Sequence, residues 1–254
     1  MKTTIDAEKR YERQSDIFCG KDLTVAVIGV GAVGRQIALQ LSAMGVRELR
    51  LVDYDTVEDV NLCAQGFRER DLGKSKVEAV AKAAWELNKG TKIIQHEGIY
   101  SKEQIEGVDF VFCCVDNMAS RKQIAEEYEG AAFFDSRMAA RVCAVKTIND
   151  PWSYEYYMKE LFTDDEMVQE TCTAKTTLFC ANICAGMMIT QMVTCWNNMT
   201  VKHDICFDIA AMTFFVREGG DVGDVPIKKA VTTWGQAFAE INIDGFEYVK
   251  VKEA

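Results

Sequence analysis

Val25-Ala26-Val27-Ile28-Gly29-Val30-Gly31-Ala32-Val33-Gly34 decides how this chain is read. Five apolar residues, Leu23 and Val25 to Ile28, run into a G-x-G-x-x-G loop, and Ile37, Leu41 and Met44 follow on one helical face. A buried strand, a glycine turn and a helix N-terminus together make a site for phosphate. Gly29 permits the tight turn, Gly31 lets backbone N–H groups approach phosphate oxygens, and Gly34 lets the helix pack close to the sheet. Ala32 and Val33 complete the cradle. The next strand, Glu48 to Val52, ends in Asp53, close to where an acid meets ribose hydroxyls. A tight turn holding no nucleotide would show the same glycines, so the pattern needs support from its surroundings.

Working outward, residues 6 to 17 read as helical, and Thr56 to Phe67 reads as an irregular polar segment. A helix from about Lys74 to Asn88 places Val77, Val80, Ala81, Ala84 and Leu87 on one face. Strands follow at Thr91 to Gln95, Asp109 to Val115 and Ala131 to Asp135, with a helix at Met118 to Glu129 before the last. The run Asp109 to Val115 is almost continuously apolar, as in a strand covered on both faces. Alternating strands and helices predict a parallel sheet with right-handed crossovers. Val142 to Ile148 then reads as an antiparallel strand, and Asn149 to Glu170 as a long loop with a short helix. An apolar run, Thr176 to Trp196, reads as a helix buried in the core or in a dimer interface rather than as a membrane span. One or two strands lie within Asp204 to Val216, and a mixed tail follows. The fold class expected is α/β: a Rossmann-like, doubly wound, mainly parallel sheet with antiparallel C-terminal extension strands. One domain, 1–254, is expected, with a core of about 7–197 and C-terminal strands and a tail at 198–254.

Composition narrows the chemistry. The 254 residues are 48% hydrophobic, enough for a core that needs no staples. With 29 basic and 39 acidic side chains the net charge is −10, which disfavours nucleic acid as the main partner. The segment Met1 to Ser15 is charged and polar, without an apolar export stretch, and ten cysteines point to the reducing cytoplasm. No C-x-x-C pair occurs and the only histidines are His96 and His203, so neither a structural zinc site nor a zinc ribbon is expected. Cys180 and Cys184 in the apolar helix, and Cys113 and Cys114 in a strand, read as core packing.

Four further features sit where a doubly wound sheet places its ligand, at the C-terminal ends of its strands. They are Asp53-Tyr54-Asp55, then Asn61-Leu62-x-x-Gln65, then Gly73-Lys74-Ser75-Lys76 opening a helix, and Cys114-Val115-Asp116-Asn117. Each has a bland alternative: Asp53 and Asp55 as turn residues, Lys76 as a solvated helix residue, Asp116 with Asn117 as an N-cap pair. Their joint placement at one sheet edge favours a site.

Arg10-Tyr11-x-Arg13-Gln14, the glycine loop, Val52-Asp53-Tyr54-Asp55, Asn61-Leu62-x-x-Gln65, Gly73-x-x-Lys76 and Val115-Asp116-Asn117 together resemble the ThiF/MoeB-type adenylyltransferases, the core of ubiquitin-activating enzymes. The resemblance spans roughly residues 7 to 197, in the family's order and spacing. It implies ATP-dependent adenylation of a C-terminal carboxylate, usually the terminal glycine of a ubiquitin-like or sulfur-carrier protein. By the resemblance, Lys76 contacts the phosphates, Asp116 holds Mg²⁺, and Asp53 bonds the ribose. Asn61 and Gln65 line the phosphate pocket, with Asp55 and Asn117 beside the nucleotide. Arg13 reaches the ATP bound in the other subunit of a homodimer.

The chain departs from the family pattern. Relatives carry an Arg three residues after the Asn, where this chain has Ala64; Arg35 or Arg137 is expected to replace it. The zinc-binding cysteine pairs of many relatives are missing, and no separate catalytic-cysteine, rhodanese or ubiquitin-fold domain is expected in the C-terminal remainder. Cys172 precedes the apolar helix, where several relatives carry a cysteine that accepts the activated carboxylate; a helix N-terminus and Lys175 would favour its thiolate. Two other classes compete. An NAD-dependent oxidoreductase explains the glycine loop and Asp53 but gives Asp55, Asn61, Lys76 and Asp116 no joint task, and Ala64 makes a non-catalytic dimeric scaffold conceivable. A tRNA-modifying dehydratase of the same family is disfavoured by the negative charge.

Overall fold

The structure is a computed structural model and describes residues 7–139, 141–161 and 176–218. An eight-stranded sheet forms its centre among these residues, with the spatial order β3-β2-β1-β4-β5-β6-β7-β8. The strands are β1 (Thr24–Ile28), β2 (Glu48–Asp53), β3 (Lys92–Glu97), β4 (Phe110–Cys113), β5 (Ala132–Ala139), β6 (Val142–Ile148), β7 (Lys202–Asp208) and β8 (Thr213–Glu218). From β3 to β5 the pairing is parallel; β5 to β8 pair antiparallel. Strand order therefore reverses between β1 and β4, and a doubly wound sheet opens its ligand crevice at that point.

Helices cover both faces. On one side lie α2 (Ala32–Met44), α4 (Lys76–Leu87) and α7 (Leu178–Trp196), which bury Ile37, Leu41, Val80, Met188 and Met192 against Val25, Val27, Leu49, Phe112 and Phe134. On the other lie α5 (Met118–Glu127) and α6 (Pro151–Glu160), whose Ile124 and Tyr157 meet Ile28, Val111 and Phe133. Side chains such as Phe112 and Phe134, stacked at 4.9 Å, each contribute roughly 1.5–3 kcal/mol by leaving water. The β1 run reads as continuous apolar sequence because all five of its residues are buried.

Two sequence expectations need correction. The segment 56–67 is not wholly irregular: α3 (Asp59–Gln65) lies within it. This helix has no buried residue and exposes Val60, so it shows no apolar periodicity; a reciprocal Glu58–Asn61 capping box and Gly66 in the left-handed conformation (φ 77°) define its ends instead. The N-terminal helix is shorter than expected: α1 (Ala7–Tyr11) ends where residues 12–17 form turns, with the Ser15 N–H bonded to the Tyr11 carbonyl at 3.0 Å. The short helix expected after Asn149 is α6, started by Asp150, whose carboxylate accepts from the Ser153 N–H at 2.7 Å ahead of Pro151.

The helix α7 is long and apolar enough to cross a membrane by length and composition. It packs on α2, β5 and β6, with Cys180 and Cys184 fully buried in that core.

Candidate functional site

The site grows from the end of β1. Gly29 turns the chain at φ 83°, and its N–H donates to the Val52 carbonyl at 2.8 Å. A Cβ there would stand 2.7 Å from the Cys114 carbonyl oxygen, so the loop passes through the gap between β2 and β4 only as glycine. A Cβ on Gly34 would stand 1.9 Å from the Gly29 carbonyl oxygen. Gly31 differs: its nearest neighbour is Gln65 Oε1 at 3.5 Å, so this chain's own packing does not demand a glycine there. That Gln65 oxygen is buried and has no hydrogen-bond partner, as is the Ser75 hydroxyl at the start of α4. Buried polar atoms without a partner call for one, and a polar ligand could supply it.

Asp53, 9% exposed, ties the loop to β2. One carboxylate oxygen accepts from the Val30 N–H at 2.7 Å and the other from the Asp55 N–H at 2.9 Å. Burial raises its pKa above the ordinary range, while these N–H bonds and the Lys76 charge pull it back. Each oxygen keeps a further lone pair for a ribose hydroxyl. Lys76, 7% exposed at the head of α4, brings its ammonium to 2.8 Å from the Asp55 carboxylate, while its own N–H donates to the Asp55 carbonyl at 2.9 Å. Asp55 therefore anchors the lysine. On the facing strand end, Asp116 is exposed on the bend between β4 and α5 and makes no ion pair among the described residues. Its charge is the largest cause of the raised pKa of the exposed Tyr54 phenol, so the ends of β2 and β4 converge electrostatically.

Two expected ligands also have structural roles, which engage their side-chain oxygens. The Asn117 side-chain oxygen accepts from the Ser120 N–H at 2.8 Å and caps α5. The Asn61 side-chain oxygen accepts from the Glu58 N–H at 2.9 Å and caps α3. Neither expected stand-in for the missing arginine is a free cation at the glycine loop. Arg35 is buried with its guanidinium 5.3 Å from the Phe67 ring centre, and burial, then Arg68, lower its pKa. Arg137 is buried on the α6 side, its Nε 3.3 Å from the Asp135 carboxylate. Arg121 went unread in the sequence: it lies buried in the first turn of α5 and joins the strand ends beside Asp116. Its only sequence signal is a basic residue in the first turn of a polar helix.

Arg13 lies elsewhere. Its neighbours dock at the far end of α2: the Tyr11 ring sits against Gly45, and the Gln14 side-chain amide donates to the Met44 carbonyl at 2.7 Å. Asn88 holds that segment, donating to the Tyr11 hydroxyl at 2.7 Å and accepting from Arg10 at 2.6 Å. The glycine loop is at the other end of α2, about 20 Å away along 13 residues. Cys172 and Lys175 lie outside the described residues.

Comparison with known proteins agrees with this geometry. The ThiF family matches residues 12–217. "Adenylyltransferase and sulfurtransferase MOCS3" of Dictyostelium discoideum is 41% identical over 103 residues, covering 39% of this chain and 24% of that protein. "Ubiquitin-like modifier-activating enzyme 5" of Drosophila persimilis is 35% identical over 134 residues, covering 46% of this chain and 33% of that protein. The matched regions thus span a quarter to a third of these relatives. Among solved structures, selenomethionine PaaA superposes with a TM-score of 0.67 at 19% identity, covering 86% of this chain and 85% of PaaA. Escherichia coli MccB with ATP gives 0.67 at 15% identity, covering 88% and 74%. At such identities these two show the shared fold alone.

Proposed function

The chain belongs to the ThiF family, and on that premise we propose that it adenylates the C-terminal carboxylate of a small ubiquitin-like or sulfur-carrier protein with a glycine-ended tail. The observation that carries this reading is the meeting, at one sheet edge, of the glycine loop, the buried Lys76 paired with the half-exposed Asp55, and the solvent-facing Asp116. The names of the relatives, an adenylyltransferase and a modifier-activating enzyme, support the same chemistry.

In this reading ATP is a substrate. A carboxylate oxygen of the tail attacks the α-phosphorus, the bond to the pyrophosphate oxygen breaks, and negative charge grows on the phosphoryl oxygens. Backbone N–H groups of residues 31–33 at the head of α2 and the Lys76 ammonium face that charge. Asp53 accepts from the ribose. Gln65 lines the phosphate pocket, where its side-chain NH₂ group is the part able to donate to phosphate oxygens. Asp116 suits Mg²⁺, which takes one or two protein carboxylates together with phosphate oxygens; bound there, the ion would neutralise phosphate charge. Arg13 serves the site of a second copy of the chain, because its own glycine loop is out of reach. A cytoplasmic setting supplies ATP and keeps the thiols reduced. Transfer of the acyl group from the adenylate to Cys172 forms a second, separable stage of the proposal.

The test is ATP–pyrophosphate exchange with a panel of small glycine-ended carrier proteins, alongside calorimetry with ATP and NAD. Carrier-dependent exchange and Mg²⁺-dependent ATP binding are expected. Low-micromolar NAD binding with ATP silent would replace this reading with an oxidoreductase. ATP binding without exchange on any carrier would leave a non-catalytic scaffold.

A further inference from the structure

We infer that Arg121 is a positioning residue that sets the Asp116 carboxylate for a metal–nucleotide complex, an inference that rests on the adenylation reading above. Asp116 sits on a short bend between the end of β4 at Cys113 and the start of α5 at Met118. Left alone, each residue of such a bend would retain backbone freedom, and the Asp116 carboxylate would sample many directions. Two restraints remove that freedom. One is the Asn117 cap on Ser120. The other is the Arg121 guanidinium, only 5% exposed.

The guanidinium makes three connections. Its Nη2 donates to the carbonyl of Val115, the residue immediately before Asp116. Its Nη1 donates to the Asp135 carboxylate and to the Ser136 carbonyl, the latter at 2.8 Å. Asp135 is fully buried in β5, and its second oxygen is held by Arg137. The bend that carries Asp116 is therefore clamped to the neighbouring strand through a rigid planar fork. A second explanation is that Arg121 merely neutralises the buried Asp135. The two differ in what a lysine can do. Lysine retains the positive charge beside Asp135, but it is a point charge on a flexible stem and cannot hold the same fork of acceptors. Arg121→Lys therefore preserves charge balance and releases Val115.

The experiment compares wild type, Arg121→Lys, Asp116→Ala and the double variant by calorimetry with ATP in Mg²⁺ and with ATP in EDTA. Arg121→Lys should weaken ATP binding in Mg²⁺ roughly ten-fold, the lower end for groups that orient metal ligands, and leave binding in EDTA unchanged. In the Asp116→Ala background the lysine substitution should add nothing, because the two act on one feature. Hydrogen exchange of the nucleotide-free Arg121→Lys protein should quicken at residues 115–118 and stay unaltered in β1. If the lysine variant does not fold, Arg121→Gln, which leaves Asp135 paired with Arg137, should show the same Mg²⁺-specific loss. Equal weakening with and without Mg²⁺, wild-type affinity, or additive effects with Asp116→Ala would overturn this inference alone. Wild-type protein whose ATP binding ignores Mg²⁺ would overturn the functional reading, and this inference with it.

Discussion

Arg13→Ala tests the division of labour between two copies of the chain. Arg13 is exposed and stands on a turn, so its removal should leave the fold within about 0.5 kcal/mol of wild type. The effect on catalysis should be large. Losing one preorganised group that meets phosphoryl charge costs on the order of 10² to 10³ in rate, about 2.7–4 kcal/mol. Geometry says where that charge lies. The Tyr11 and Gln14 contacts hold Arg13 near Met44 and Gly45, at the end of α2 remote from Gly31. The 13-residue helix separates them by about 20 Å. An arginine side chain is no longer than two extended residues, about 7 Å, so it cannot close that gap within one chain. Arg13→Ala and Asp116→Ala should each be nearly inactive as homodimers. Mixed in equal amounts with free exchange, half of the dimers are hybrids, and one of two sites in each hybrid has both residues. Activity should therefore return to about a quarter of the wild-type value if dimers assemble at random. The assay is pyrophosphate exchange on the mixture, with subunit exchange followed by native mass spectrometry. Demonstrated hybrids without recovered activity would refute the argument, as would robust exchange by the Arg13→Ala protein alone.

Three further expectations follow from particular contacts. Gly34→Ala would drive a Cβ to 1.9 Å from the Gly29 carbonyl oxygen, and relief by overpacking costs about 1–3 kcal/mol; thermal denaturation should show a lowered Tm together with weakened ATP binding, and an unchanged Tm would contradict the close approach. Asn88→Ala removes hydrogen bonds to the Tyr11 hydroxyl, Arg10 and the Ser42 carbonyl, at about 0.5–1.5 kcal/mol for each bond lost. It should lower the Tm and, by releasing the segment that carries Arg13, depress exchange activity, whereas lost stability with full activity would separate that anchor from the site. Cys172→Ala should retain ATP–pyrophosphate exchange and lose any thiol-sensitive adduct with the carrier, read by non-reducing gels and intact mass; robust exchange by wild type with no such adduct would mean that the chain stops at the acyl-adenylate.

Some of this protein could be read without a structure because local rules decide it. Val25 to Ile28 had to be a covered strand, and Gly29 and Gly34 had to be glycines, since a Cβ at either would strike backbone. The alternation of strands and helices then implied the parallel half of the sheet, and Val142 to Ile148, apolar and turned back on β5, extended it antiparallel. The grouping of Asp53, Asp55, Lys76 and Asp116 at one edge was legible too, because parallel strands deliver their C-terminal ends to the same side. The helix α3 was not legible, because it buries nothing and its order comes from its caps. Which polar residues face a ligand and which hold the chain together was also beyond the sequence. Asn61 and Asn117 are both asparagines at motif positions, yet each side-chain oxygen is engaged by a helix start. Arg35 and Arg137 are both arginines near the loop in sequence or strand order, yet packing draws one onto Phe67 and the other onto Asp135. The distance of Arg13 from its own glycine loop, and the clamp of Arg121 on Val115, arise only when α2 and β5 take their places. Sequence periodicity records which face of an element leaves water. The partner of a hydrogen-bonding side chain depends on residues remote in the chain, and only tertiary packing brings those together.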